Sequence, residues 1–195
     1  IRPGKSIDFG FDVKGYFNPL IKQFTKFYNA DDIEPIEFYG NCYNGNADLY
    51  TTMSYLPHVD TFPGADKDIN PLNDYAFNLN VTKSDKVKTA FYSFNGKKSV
   101  CDWTPDDYDD HDRVRDRHKK IKAKNWRLLS SENFQNYQLE YVANIEYNSL
   151  ILYPSHYWHS VYIKEDWFTD TDRITFTGFF ETKTTSSKRK KLGFG

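Results

Sequence analysis

The chain has 195 residues, 26 basic against 27 acidic side chains for a formal net charge of −1, and 16 Phe, 15 Tyr and 4 Trp against seven Ala. That length suits one domain with its own hydrophobic core, and the balanced charge argues against bulk electrostatic binding to nucleic acid. No run reaches the roughly 18 apolar residues of a membrane helix, and two cysteines, Cys42 and Cys101, are too few for a disulfide scaffold or a cysteine zinc site. A cytoplasmic, reducing setting is therefore expected. Few Ala and many aromatic and β-branched residues favour strands over helices.

In chain order, Phe17, Leu20, Ile21, Phe24 and Phe27 repeat at helical spacing, with Pro19 near the start. They predict one amphipathic helix over 17–29 that packs on a sheet. From Ile36 the pattern shortens into strand-like pieces. These are Ile36–Tyr39, Leu49–Tyr55, Tyr75–Val81, Thr89–Phe94, Leu139–Tyr147, Ser149–Tyr153, His159–Ile163 and Arg173–Glu181. Turns are expected at Asn44-Gly45, Pro63-Gly64, Asn95-Gly96 and Tyr147-Asn148. About eight strands suit a two-sheet jelly roll or barrel.

The stretch 97–137 breaks the rhythm with an Asp-rich run, Asp102 to Asp112, followed by an Arg/Lys-rich one, Arg113 to Lys124. A connection of that length is either a salt-bridged loop with a short helix or a lid over a site. The tail from Lys183 to Gly195 is basic and rich in Ser and Thr, a composition that favours disorder and keeps a contact with nucleic acid open.

Five histidines occur: His58, His111, His118, His156 and His159. In an extended segment His58 and Asp60, at i and i+2, point to the same face and offer two adjacent metal ligands. One of His156 and His159 could add a third from a distant strand. Two His and one carboxylate leave three positions of an octahedron open, the arrangement of non-haem Fe(II) oxygenases. Arg173 is the only arginine of the candidate β core. With the Thr175 hydroxyl at i+2 it forms a fork suited to a carboxylate, although Asp170 and Asp172 are competing local partners.

The ordered set His58-x-Asp60, His159 and Arg173-x-Thr175 resembles the pattern of Fe(II)- and 2-oxoglutarate-dependent dioxygenases of the prolyl-hydroxylase-like kind. The flanking stretches Phe77–Asn80, Thr89–Tyr92 and Ile145–Ser155 are similar to segments of that family, and the likeness runs from about Tyr39 to Glu181. It is nearest to short, poorly characterised microbial and phage members. The resemblance implies a mainly β, single-domain double-stranded β-helix over 1–195, with an N-terminal helix and the 97–137 insertion. It implies Fe(II) held by His58, Asp60 and His159, with His156 either beside the ligands or facing solvent.

On the same basis Arg173 and Thr175 would take the distal carboxylate of 2-oxoglutarate. Asn78 falls where relatives often place a cosubstrate-contacting Tyr. Tyr43, Tyr50 and Tyr92 are further wall candidates, although each fits the core better. The implied reaction consumes O2 and 2-oxoglutarate and hydroxylates an unidentified small molecule or peptide, with succinate and CO2 as co-products. Asp60 favours hydroxylation or demethylation over halogenation, since related halogenases vacate that position. Two other readings share the fold: a non-catalytic β-sandwich binding module, and a cupin-like metalloenzyme that does not use 2-oxoglutarate.

Overall fold

The computed structural model describes residues 13–27, 32–43, 56–60, 74–118, 136–164 and 167–183. The expected strand Leu49–Tyr55, the turns at 44–45 and 63–64, Tyr50, residues 119–135 of the insertion and the tail from 184 onward lie outside them.

Helix α1 spans Val13–Phe27. It begins earlier than the apolar spacing suggested, so Pro19 stands inside it rather than in its first turn. Proline has no N–H, and the helix forgoes one i→i−4 bond there. Docking offsets that loss. Phe24 is buried, stacks on Phe180 at 5.1 Å and meets Phe77 at 6.1 Å. Burying each such ring is worth about 2–3 kcal/mol.

Seven strands follow among the described residues: β1 (Asp32–Tyr43), β2 (Asp74–Asn80), β3 (Lys88–Phe94), β4 (Tyr137–Asn144), β5 (Leu150–Pro154), β6 (His159–Val161) and β7 (Arg173–Lys183). The 3-10 turn Val100–Asp102 and helix α2 (Pro105–His118) lie between β3 and β4. The chain is therefore mainly β. Strand β1 outruns its expected span Ile36–Tyr39 at both ends, where Pro35 and the Gly40-Asn41 pair carry little strand signal. As a sheet edge it tolerates Pro35, which sits beside a register shift against β7. Asn95 (φ 50°) and Gly96 (φ 78°) form the expected tight turn after β3, a left-handed pair that asparagine and glycine adopt most readily.

The strands form two antiparallel sheets, a large one in the order β1-β7-β2-β5 and a small one in the order β4-β3-β6. In an antiparallel ladder, directly opposed residues share a face. Opposition of Tyr75 to Phe180 and of Phe77 to Gly178 defines the outer face of the large sheet, which α1 covers. Opposition of Tyr43 to Arg173, Asn41 and Asn80 to Thr175, Asn78 to Thr177, and Ala76 to Tyr153 defines its inner face. The inner face meets the small sheet where the Phe91 and Tyr153 rings stand 5.2 Å apart.

Helix α2 packs against an aromatic cluster on the far side of the small sheet. Trp158 stacks on Trp103 at 5.0 Å, and His111 of α2 lies 5.2 Å from Trp158 and 5.7 Å from Phe94. Buried Val114 and Tyr137 complete this core. The described part of the insertion, up to His118, thus contains the short helix of the first alternative, with Arg113–Asp110 and Arg115–Asp112 ion pairs along it.

Candidate metal centre and anion pocket

The segment 56–60 is extended and pairs with the chain around β6. His58 and His159 exchange both backbone hydrogen bonds, each 2.9 Å, and the Asp60 N–H donates to the Ser155 carbonyl at 2.8 Å. Side chains at i and i+2 of an extended segment share a face. His58 and Asp60 therefore turn toward His159 across the ladder. One ligand atom from each of the three residues lies within 4.8 Å of the others. Asp60 Oδ2 stands 3.3 Å from His159 Nε2, and Oδ1 stands 3.9 Å from His58 Nε2. Ligands about 2.1 Å from a common ion at right angles stand about 3 Å apart, so the spacing is close to that of one coordination sphere.

The imidazole tautomers follow from their neighbours. His58 Nδ1 lies 3.1 Å from the Leu56 carbonyl, and His159 Nδ1 lies 2.9 Å from the Tyr157 carbonyl. A carbonyl only accepts, so both Nδ1 atoms donate and both Nε2 atoms of the neutral rings carry lone pairs. Where the rings are neutral, His159 Nε2 and Asp60 Oδ2 face each other as two acceptors, an arrangement a metal ion or a proton between them relieves. The residues fit a divalent metal. The Asp60 and His159 side chains are 7% and 6% exposed and the His58 side chain 47%, so the group opens to solvent on the His58 side.

His156 is not part of this group. Three residues before His159, it is buried on the turn after β5, with its ring 5.1 Å from that of Tyr157 and its carbonyl accepting from the Val100 N–H.

Arg173, the first residue of β7, is buried. Its Nη1 donates to Thr175 Oγ1 at 3.3 Å, while its Nε has no hydrogen-bond partner. Among the described residues no carboxylate forms an ion pair with it, so the local pairing with Asp170 or Asp172 is not formed. Burial pulls the guanidinium below its ordinary value to about 10, partly opposed by the Tyr153 and Tyr43 hydroxyls that face it. A buried cation without a counter-ion is costly, and an incoming anion removes the cost. On the same face, opposite Thr177, Asn78 carries a buried Oδ1 with no hydrogen-bond partner, and Asn41 Nδ2 donates to Thr177 Oγ1 at 2.9 Å. A polar stripe thus crosses the inner face of the large sheet.

Sequence reasoning missed Tyr153, Phe91, Asn41 and Thr177. Tyr153 and Phe91 bring their rings to 4.7 Å and 6.4 Å from the His159 ring. Only the alternation along β5 and β3 marked them, and it marks core residues equally. Of the expected wall residues, Tyr43 faces Arg173. Tyr92 turns away from the site, into the cluster under α2, where its hydroxyl accepts from Ser160 at 3.3 Å; burial pushes its hydroxyl up to about 12.

No protein-family model matches the chain, and no curated protein matches it. Among solved structures, an N-substituted L-amino acid dioxygenase from Burkholderia ambifaria AMMD, in complex with alpha-KG, is similar with a TM-score of 0.46. It is 11% identical over 86% of this chain and 60% of that one, so the present chain spans about three-fifths of its length. HygX from Streptomyces hygroscopicus, with nickel and 2-oxoglutarate bound, gives a TM-score of 0.45 and 10% identity over 92% of this chain and 74% of that one. Neither likeness assigns a role to a residue of this chain. No described helix is long and apolar enough to cross a membrane.

Proposed function

We propose that the chain is a non-haem Fe(II)- and 2-oxoglutarate-dependent dioxygenase that hydroxylates a substrate, with the two sheets and the 56–60 segment forming a double-stranded β-helix. The observation that carries this reading is the meeting of His58, Asp60 and His159, from segments about a hundred residues apart, with two imidazole lone pairs and a carboxylate directed at one another.

Those three residues would hold the iron on one face and leave the remaining positions to ligands. When bound, iron and 2-oxoglutarate supply the oxidative chemistry, with O2 consumed and succinate and CO2 released. The chain's own work is binding and orientation. Arg173 would pair with the distal carboxylate of 2-oxoglutarate, the Thr175 hydroxyl holding the guanidinium in place. Asn78 would present its amide to the same ligand, with its Nδ2 as donor. Tyr153 and Phe91 wall His159 with rings and keep water from the interior side of the centre. The Leu56 and Tyr157 carbonyls hold both imidazoles in the tautomer a metal needs.

The test is an anaerobic titration. Fe(II) followed by 2-oxoglutarate is expected to give a weak visible charge-transfer band, and air is expected to release succinate. Metal binding without that band or succinate would favour a metalloenzyme that does not use 2-oxoglutarate. No metal binding at all would leave a binding module.

A further inference from the structure

The segment that carries His159 is bonded on both sides. On one side lies the 56–60 segment with the other two candidate ligands. On the other lies the start of the insertion: Trp158 N–H donates to the Lys98 carbonyl at 3.2 Å, Val100 N–H donates to the His156 carbonyl at 3.2 Å, and Ser99 and Tyr157 form an antiparallel bridge. The Trp158 carbonyl also accepts from Tyr92 N–H at 2.9 Å. Adjacent residues of an extended chain point to opposite faces. His159 therefore faces Asp60, and Trp158, 1% exposed, goes into the aromatic cluster beneath α2.

Helix α2 depends on that cluster. Its 14 residues include six Asp and three Arg, a composition without a broad apolar stripe. A helix of that length is marginal by itself in water. What seats it is buried Val114, with Tyr108 and His111 against Trp103, whose indole stacks on Trp158 at 5.0 Å. The Trp103–Trp158 stack thus serves two ends at once: it supports the helix, and it fixes the peptide that aims His159.

We propose that Trp158 is a positioning residue for the metal centre, and that docking of α2 on the Trp103–Trp158 stack and metal occupancy at His58, Asp60 and His159 stabilise each other. This rests on the metal-centre reading above. Coupling between two sites is reciprocal, so each end reports on the other. The metal holds His159 and hence the Trp158 backbone, which keeps the indole where α2 seats. A seated α2 in turn keeps the ligand-bearing segment from opening between its two flanking ribbons.

The experiment uses the full chain and Co(II), an O2-tolerant probe whose absorption reports binding. Hydrogen exchange is followed by mass spectrometry over 105–118 with and without Co(II), and Co(II) affinity is measured for the parent chain, Trp103→Ala and Trp103→Phe. Trp103 supplies no ligand and acts on the centre only through its stack with Trp158. Co(II) is expected to slow exchange in α2 about fivefold or more, and Trp103→Ala to weaken Co(II) binding about tenfold while Trp103→Phe restores most of it. Exchange in β2 and β7 should remain unchanged by the substitution. Co(II) binding with unaltered α2 exchange in the parent chain would overturn the coupling and leave the metal centre standing; so would parent-like affinity in Trp103→Ala with α2 loosened. Failure of the parent chain to bind Co(II) would overturn the metal centre itself, and the coupling with it. The parent-chain measurement decides the matter even if Trp103→Ala does not fold.

Discussion

His58 and His159 exchange both of their backbone hydrogen bonds, and their rings stand 4.5 Å apart. The double hydrogen bond fixes the two main chains at this point of the ladder, and the Leu56 and Tyr157 carbonyls then hold the rings. Replacing either ring should therefore leave the fold intact and remove a ligand. His159→Ala and Asp60→Ala are each expected to lower metal retention by at least about 100-fold, with succinate release reduced to background and far-UV circular dichroism unchanged. Full succinate production by either variant would sink the assignment.

Arg173 is the case where stability and function oppose each other. It is buried, and among the described residues no carboxylate compensates its guanidinium charge. Replacing such a charge by an apolar side chain of similar length is often neutral or stabilising by about 1–4 kcal/mol. Arg173→Met is expected to raise the Tm of the ligand-free protein while abolishing 2-oxoglutarate binding. Added 2-oxoglutarate should raise the Tm of the parent chain and leave that of the variant unmoved. A drop in the ligand-free Tm would mean that Arg173 is satisfied within the chain.

Alternation and turn chemistry made most of the strands legible, and the Asn95-Gly96 pair identified its turn unaided. The candidate ligands and Arg173 were legible for another reason: they are chemically scarce types, and their order along the chain carries information. The seat of helix α2 was not, because what holds the helix comes from elsewhere. Trp103 and Trp158 lie 55 positions apart, and nothing in the Asp/Arg run shows that His111 and Val114 face them. Asn41, Thr177 and Tyr153 failed for a related reason. A small polar residue or a tyrosine on a strand acquires meaning only from register, and register is a property of two strands. Pro19 misled for a local reason, since its preference for a first turn gave way to a helix that docks well enough to lose one bond.

The start of α2 is held by Asp107. Thr104 precedes the helix and Pro105 opens it; the Asp107 carboxylate accepts from both the N–H and the hydroxyl of Thr104, each at 2.7 Å, and pairs with Lys97. Burial would raise this carboxyl, but bonds from Lys97, Thr104 and Asn95 outweigh it and hold it well below the usual carboxylate range. A depressed acid stabilises the fold above its unfolded value near 4, and that stability is lost as pH falls toward the folded value. Asp107→Asn is expected to cost about 1 kcal/mol at neutral pH and to flatten the acid limb of the stability profile below pH 4. Urea denaturation at pH 7 and pH 3.5 checks both.

His111 should give α2 a second pH dependence at milder acidity. Its ring faces Phe94, Trp103 and Trp158, and the charged groups acting on it are Arg115 and Asp112 of its own helix. Burial pulls the imidazole below its ordinary value and Arg115 adds to that, while Asp112 opposes them. The unfolded chain therefore binds the proton more readily than the folded one, and stability rises with pH. The contribution is complete above the unfolded value of about 6.5 and is lost as pH falls from there toward the lower folded value. Hydrogen exchange in 105–118 is expected to quicken between pH 7.5 and 5.5, beyond the intrinsic change in exchange chemistry. His111→Phe, which keeps a ring against Trp103 and cannot be protonated, should remove that dependence and hold α2 at pH 5.5. An unchanged pH response in the variant would place the titrating group elsewhere.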